Sequence, residues 1–267
     1  MDFPTENIKE INWDFPGSRT QFLTHKYHSY PARFIPQIPR TIYRMLLKSG
    51  TSKVFDPFVG CGTSLVEAIL SQISAGGSDL NPLAILISRV KTQPLEMNKL
   101  KNYWLDLQKI FNPDLQIYKG HQFSQRDFVF PKRHLSTRFS EDSIYIFSKI
   151  LDFIENNILE LDFQDFFKVG LSSSVTTLTE SKKWEKVNIW RTFRPKIDSM
   201  IKIMGEFNER INSFSNQMRN DIRIADSRDL HFIPEETIDC IVTSPPYVNA
   251  LDYNRIHQYN MSILGYD

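Results

Sequence analysis

The sequence predicts an α/β protein built on an open parallel sheet of about four strands with a helical insertion, and three observations lead there. Short apolar runs recur as strands: KVFDPF at 53 to 58, a run ending in SDLNP near 75 to 80, IRIAD at 222 to 226 and DCIVTS at 238 to 243. The first leads into a glycine turn and then TSLVEAILSQ, which has helical apolar spacing. Short buried strands that alternate with helices belong to parallel sheets. Between the second and third strands lie roughly 130 residues, far more than a crossover connection needs.

That long connection reads as a helical subdomain. Leu100, Tyr103, Trp104, Leu107 and Phe111 keep helical spacing, as do Ile146, Ile150, Phe153 and Ile154, and then Ile197, Ile201, Met204, Phe207 and Ile211. Such stripes are core rather than cofactor contacts. A further helix is expected over 36 to 48, with Pro39 early in it and Gly50 beyond its end. The expected parts are therefore 1 to 92 and 221 to 267 for the sheet, carrying the ligand-binding and the catalytic motifs respectively, with 93 to 220 as the insertion.

Composition bounds the function classes. With 267 residues, 41% hydrophobic and 24% charged, the chain suffices for one large domain or a core plus an insertion. No apolar run reaches membrane-spanning length, and MDFPTENIKEINWDF lacks a basic then apolar signal pattern, so a cytoplasmic location is expected. Cys61 and Cys240 have neither disulfide-scaffold nor zinc-ligand spacing; both are read as thiols, and no metal is expected. A net charge of +1 means that any attraction for phosphates must come from a local patch.

In Asp56-Pro57-Phe58-Val59-Gly60-Cys61-Gly62-Thr63 an acid ends the first strand and two glycines let a ligand approach the backbone. A dinucleotide site would want a third glycine and no carboxylate beside its phosphates, whereas Asp56 suits the ammonium of an amino-acid ligand. A glycine turn after a strand also serves purely structural ends. Asp79 ends the second strand, where a carboxylate accepts both hydroxyls of a ribose, and Asp226 ends the third, where it accepts from an adenine amine. A lone Asp more often caps a helix or turn. Three at successive strand ends, on the edge where α/β sheets bind ligands, point to a nucleoside.

Thr243-Ser244-Pro245-Pro246-Tyr247 follows the fourth strand. The prolines lack backbone donors and hold a rigid extended path, which leaves the Ser244 hydroxyl and the Pro245 carbonyl as acceptors. Two acceptors on an exocyclic amine favour its pyramidal, nucleophilic form. Tyr247 offers a face on which an extruded base stacks, worth about 1–3 kcal/mol against the few that flipping costs. The bland alternative is a rigid loop whose Tyr packs in the core.

Taken together, DPFVGCGT, SDLNP, ADSRD and TSPPY resemble the ordered motifs of bacterial and archaeal DNA amino-methyltransferases, in particular the cytosine-N4 group. The resemblance implies a Rossmann-like S-adenosylmethionine-dependent methyltransferase sheet, with S-adenosylhomocysteine as product. It assigns Asp56, Pro57, Phe58, Gly60, Gly62 and Thr63 to the cofactor loop, Asp79 and Asn81 to the ribose, and Asp226 and Ser227 to the adenine. Ser244, Pro245, Pro246 and Tyr247 become the target-base site. HKYHSYPARFIPQIP (25 to 39) is similar to the segment that closes over the methionine end, which gives Tyr30, Pro31 and Phe34 a lining role, while His28 there is equally a structural hydrogen-bonder. Ser before Pro-Pro-Tyr is the family's mark of cytosine N4 over adenine N6. A cytosine-C5 enzyme would need a Pro-Cys nucleophile, and the chain has no such pair. An adenine-N6 DNA methyltransferase, an RNA base methyltransferase and a non-catalytic cofactor-binding subunit of a larger complex are the other readings.

The sequence also departs from the family. A full methyltransferase sheet has seven strands and this chain supplies four, in the expected order 3-2-1-4, so the fourth strand is expected to form an apolar open edge. A split enzyme completed by a second polypeptide, self-association or a truncation is expected from that edge. The insertion lies where the family does not usually put target recognition. Its best candidate for DNA contact is KKWEKVNIWRTFRPK (182 to 196), in which Lys182, Lys183, Lys186, Arg191, Arg194 and Lys196 alternate with Trp184, Trp190 and Phe193. A solvated helix face over a few buried aromatics is the equal alternative. Lys132, Arg133, His134 and Arg138 form a weaker patch.

Overall fold

In the computed structural model, which describes residues 10–111, 135, 139–180, 189–246 and 253–266, the strands Lys53–Asp56 (β1), Ser74–Asp79 (β2), Ile222–Ile224 (β3) and Cys240–Ile241 (β4) form one parallel sheet. Its order is β3-β2-β1-β4, the order expected from the motifs, and the architecture is α/β and Rossmann-like. Asp56 lies opposite Gly77, Asp79 opposite Ile224 and Phe55 opposite Ile241. This register carries the carboxyl ends of all four strands to one edge.

Gln37–Leu46 (α1) precedes β1, Thr63–Leu70 (α2) connects β1 to β2, and Pro82–Thr92 (α3) follows β2. Leu65, Val66, Ala68 and Ile69 of α2 and Leu83, Ala84, Ile85 and Ile87 of α3 are buried. Both helices are apolar nearly all round, the pattern of helices enclosed in a core. Pro82 opens α3, and the Asn81 side chain accepts from the Leu83 amide at 2.9 Å, a cap worth about 1 kcal/mol.

A glycine-rich β2 (SAGGSD) is a poor strand by propensity, and packing explains it. A Cβ on Gly77 would sit 2.8 Å from Val59 Cγ2 and 2.9 Å from the Asp56 carbonyl. Only glycine lets the loop after β1 fold onto its neighbour. Where β3 has not yet begun, the Asn216 amide takes the place of a strand: it donates to the Ala75 carbonyl at 2.7 Å and accepts from the Ala75 amide at 2.9 Å.

β3 and β4 are shorter than the runs that suggested them. After Ile224 the chain turns, with the Asp229 amide on the Asp226 carbonyl at 2.9 Å. Beyond Ile241, Pro245 and Pro246 have no amide to lend a ladder. Ile224 and Ile241 are exposed on the two edge strands.

The described residues divide into two compact units: those up to Gln93 with those from Glu206 to Pro246, and those from Pro94 to Gly205 with the last helix. The second unit is helical. It holds Met97–Ile110 (α4), Glu141–Asn157 (α5), Leu161–Glu180 (α6), most of Ile189–Ile211 (α7) and Tyr253–Leu264 (α8). The helical stripes read from the sequence are buried, Tyr103 partly so. Each fully buried Phe, such as Phe166, Phe167 or Phe193, contributes about 1.5–3 kcal/mol. Glu96 caps α4 through the Asn98 and Lys99 amides at 2.7 and 2.9 Å.

His257 on α8 is buried, and burial pushes its imidazole down to about 4. The folded state therefore keeps this ring neutral, while the unfolded chain takes up a proton near 6.5. The stabilisation is complete above the unfolded value and is lost as pH falls from about 6.5 toward 4, with a slope of at most about 1.4 kcal/mol per pH unit. His257→Gln removes this dependence. Urea unfolding at pH 7 and pH 5 should show a loss of about 1–2 kcal/mol in the parent that is smaller in the variant; equal losses in both would refute the assignment.

Candidate functional site

The loop from β1 to α2 is built around Asp56. This acid is 3% exposed, and its oxygens face protein donors: Oδ1 accepts from the Thr243 hydroxyl at 2.6 Å and the Phe58 amide at 3.1 Å, and Oδ2 accepts from the Ser64 hydroxyl. Burial pushes the carboxyl up, and the Ser64, Thr243 and Phe58 bonds pull it back. Asp56 therefore turns inward, beneath the loop, toward groups of the chain itself.

Asp79 orients the same loop from the neighbouring strand. Its Oδ2 accepts from the Gly60 amide and its Oδ1 from the Asn81 amide, both at 2.9 Å. Burial raises its pKa, and those amides hold it back. A carboxylate has about four acceptor positions, and these bonds use two, so it retains capacity for two hydroxyls. Asn81 has its side-chain oxygen in the α3 cap, which leaves the amide nitrogen for a ligand. Phe58, two residues after Asp56, and Leu80, directly after Asp79, are exposed.

Gly62 closes the loop in the left-handed conformation, at φ 76°, as the residue before α2. A Cβ there would lie 2.8 Å from Ser88 Cβ and 2.9 Å from Ser88 Cα on α3. Underneath, the fully buried Lys91 ammonium donates to the Cys61 carbonyl at 3.0 Å. Burial lowers the pKa of that amine. Cys61 and Cys240 are free thiols.

The segment 20 to 36 and Thr63 line a cleft of about 390 Å³, with Thr20, His25, Tyr30, Arg33, Phe34 and Thr63 among its walls. A Cβ on Gly60 would meet only the Tyr30 ring, at 3.7 Å. Tyr30, Pro31 and Phe34 are half-buried. Beneath the cleft, the buried Glu67 of α2 accepts from Arg40 at 2.7 and 3.1 Å and meets His25 Nε2 at 2.8 Å. Burial lowers the His25 pKa, against the pull of Glu67. His28 is buried, with Nδ1 2.7 Å from the Ser29 carbonyl.

Past β3, the Ala225 amide donates to the Asp79 carbonyl at 3.3 Å, and Asp226 follows. The Arg228 guanidinium grips the Asp226 carboxylate at 2.6 to 3.1 Å and holds its pKa down at about 2. Asp226 is thus an anion at any ordinary pH. Ser227 is half-buried next to it. On the fourth strand end Ser244 is half-buried while Pro245 and Pro246 are exposed. Tyr247 lies outside the described residues, as do Lys182, Lys183, Lys186, Trp184 and the patch at 132 to 138.

Four strand ends thus bring Asp56, Asp79, Asp226 and Ser244 to one edge, as the motifs anticipated. In the helical unit Arg191 and Arg194 are exposed on α7. Their aromatic neighbours are not: Phe193 is buried, and Trp190 stacks on Phe111 with centroids 4.2 Å apart. Sequence reasoning passed over Ser64, Glu67, Lys91 and Thr243. A charged or hydroxyl residue inside an otherwise apolar helix, as in TSLVEAIL, was the available signal for Ser64 and Glu67.

Comparison with known proteins supplies a second line. The Type II methyltransferase M.MvaI of Kocuria varians is 27% identical over 261 residues, 87% of this chain and 55% of that protein. M.AvaI of Nostoc sp. is 23% identical, over 96% of this chain and 56% of its own length. M.MjaII of Methanocaldococcus jannaschii is 36% identical over a shorter stretch of 104 residues, 37% of this chain and 19% of that protein. No family model matches the chain, and no solved structure does. The chain spans about half the length of the relatives that it matches most fully. Motifs, sheet and relatives together uphold its resemblance to the DNA amino-methyltransferases.

Proposed function

We propose that this chain carries the cofactor site and the target-base site of a site-specific DNA methyltransferase acting on an exocyclic amine, cytosine N4 in the first instance. The observation that carries the reading is the sheet order: β3-β2-β1-β4 gathers Asp226, Asp79, Asp56 and Ser244 at adjacent strand ends. The Type II methyltransferases above support the class of reaction. Ser rather than Asp before Pro245-Pro246 supports cytosine N4 through the family resemblance.

Asp79 and Asn81 would hold the ribose of S-adenosylmethionine, Asp226 and Ser227 its adenine, and the Gly60 to Thr63 loop with Tyr30, Pro31 and Phe34 its methionine end. Half-exposed Phe58 and the acceptor capacity of Asp79 fit a nucleoside there. The bound cofactor supplies an electrophilic methyl on a sulfonium. The Ser244 hydroxyl and the Pro245 carbonyl accept the amine hydrogens of the flipped base, which localises its lone pair for attack on the methyl carbon. Transfer would break the methyl carbon–sulfur bond to give S-adenosylhomocysteine as product, and the extra amine proton would pass to water. Tyr247 would stack on the base.

Residues 1 to 92 and 221 to 267 form the proposed cofactor and catalytic parts, with DNA contact from 93 to 220 through Lys182, Lys183, Lys186, Arg191 and Arg194. Among the described residues β4 pairs with β1 alone and leaves Ile241 exposed, which supports further strands added at that edge, from a second polypeptide, a second copy or further residues of a longer chain. No described helix is long and apolar enough to cross a membrane; a DNA substrate would set the protein in the cytoplasm.

The test is identification of the product. The protein, alone and with proteins that co-purify with it, is incubated with methyl-labelled cofactor and DNA, and the digested nucleosides are read by mass spectrometry. N4-methylcytosine is expected. N6-methyladenine would overturn the choice of base, and label in RNA but not DNA would overturn the substrate.

A further inference from the structure

Asp56 is a positioning residue, we infer: through Thr243 it clamps the Ser244-Pro245-Pro246 loop to the cofactor loop, and so fixes the distance between the base acceptors and the methyl donor. The inference rests on the reading of Ser244 and Pro245 as base acceptors.

One carboxylate ties together three segments far apart in the sequence. Thr243 is 187 residues from Asp56 and immediately precedes Ser244; Phe58 opens the cofactor loop; Ser64 sits in the first turn of α2. No cation pairs with Asp56 among the described residues, so a nearly fully buried carboxyl group is held by two hydroxyls and an amide. A buried polar group held in this way gives little net stability, since apolar groups of the same shape do as well. Its return is geometric, because hydrogen bonds are directional.

The loop needs such a tie. The β4 ladder pairs Cys240 with Val54 and Ile241 with Phe55, then stops two residues before Thr243. Pro245 and Pro246 cannot extend it. The Thr243 hydroxyl, 2.6 Å from Asp56, carries the link past the end of the sheet, next to the residue that must meet the base. A misplacement of 1 Å in such a constellation costs about 10²-fold in rate. Thr243 is therefore needed for its hydroxyl, whereas its bulk is dispensable.

The test compares Thr243→Val, which keeps the shape and removes the hydroxyl, with Thr243→Ser, which does the reverse. With melting temperatures matched to the parent, Thr243→Val is expected to lower kcat by about 30-fold or more while KM for S-adenosylmethionine stays within about 3-fold, and Thr243→Ser to return within about 3-fold of the parent rate. Hydrogen exchange of the peptide 238 to 246, in protein saturated with S-adenosylhomocysteine, should be faster in the Val variant only. Ser64→Ala, which loosens the other oxygen of Asp56, serves if Thr243→Val fails to fold, with the same split expected. A parent-like kcat in Thr243→Val, an equal loss in Thr243→Ser, or a loss carried wholly by KM would overturn the clamp. If the parent protein methylates no DNA, the function proposed above fails, and the exchange arm still decides the clamp: equal exchange in parent and Val variant removes it.

Discussion

Replacing Ser244 by alanine should lower kcat for methyl transfer by about 10²- to 10³-fold, the effect of deleting one preorganised hydrogen-bonding group from a transition-state site. Ser244 is half-buried directly after the tethered Thr243, and on the function proposed above its hydroxyl faces the extruded amine. The side chain makes no hydrogen bond to the cofactor-loop acids, and its loss should leave cofactor affinity within about 2-fold. Single-turnover transfer of labelled methyl groups and calorimetry of S-adenosylhomocysteine binding measure the two separately. Transfer at the parent rate in Ser244→Ala would remove the amine-acceptor mechanism.

A second large effect is expected on the fold. In Gly62→Ala two terms add: a left-handed alanine costs about 1–2 kcal/mol, and the new Cβ would collide with both the backbone and side chain of Ser88 on α3, an overpacking penalty of about 1–3 kcal/mol. The sum corresponds to a fall in melting temperature of roughly 5–15 °C for a chain of this size. Gly50→Ala is the control. Gly50 also has a positive φ, 82°, but a Cβ there meets nothing within 4 Å, so the strain term alone remains. Calorimetric scans in which the two variants lose the same amount would show that the contact with Ser88 is not what restricts position 62.

The two expected effects separate chemistry from architecture, and they differ in how readable they were. The expectation for Ser244 follows from Thr-Ser-Pro-Pro-Tyr after an apolar strand, a local pattern. That Gly62 admits no side chain follows from the approach of α3, which no local pattern encodes. Asp79 is an intermediate case. Its place at a strand end was legible, but its grip on the Gly60 amide depends on β2 lying next to β1. The basic and aromatic run at 182 to 196 shows the reverse: spacing allowed stacking residues on a surface, yet Phe193 is buried and Trp190 lies against Phe111, because a helix with that spacing must bury one face.

By itself the sequence determined the α/β class, the strand order and the gathering of four motifs at one sheet edge. Strand and helix periods are local, and parallel crossovers leave few ways to order the strands. Only the tertiary structure decided which donors the buried acids meet: Asp56 turned inward to Ser64 and Thr243, Glu67 joined to His25 and Arg40, and the Asn216 amide standing in for a strand beside Ala75. The physical reason is that a buried polar group must find partners wherever packing brings them, and those partners lie up to 187 residues away in the chain.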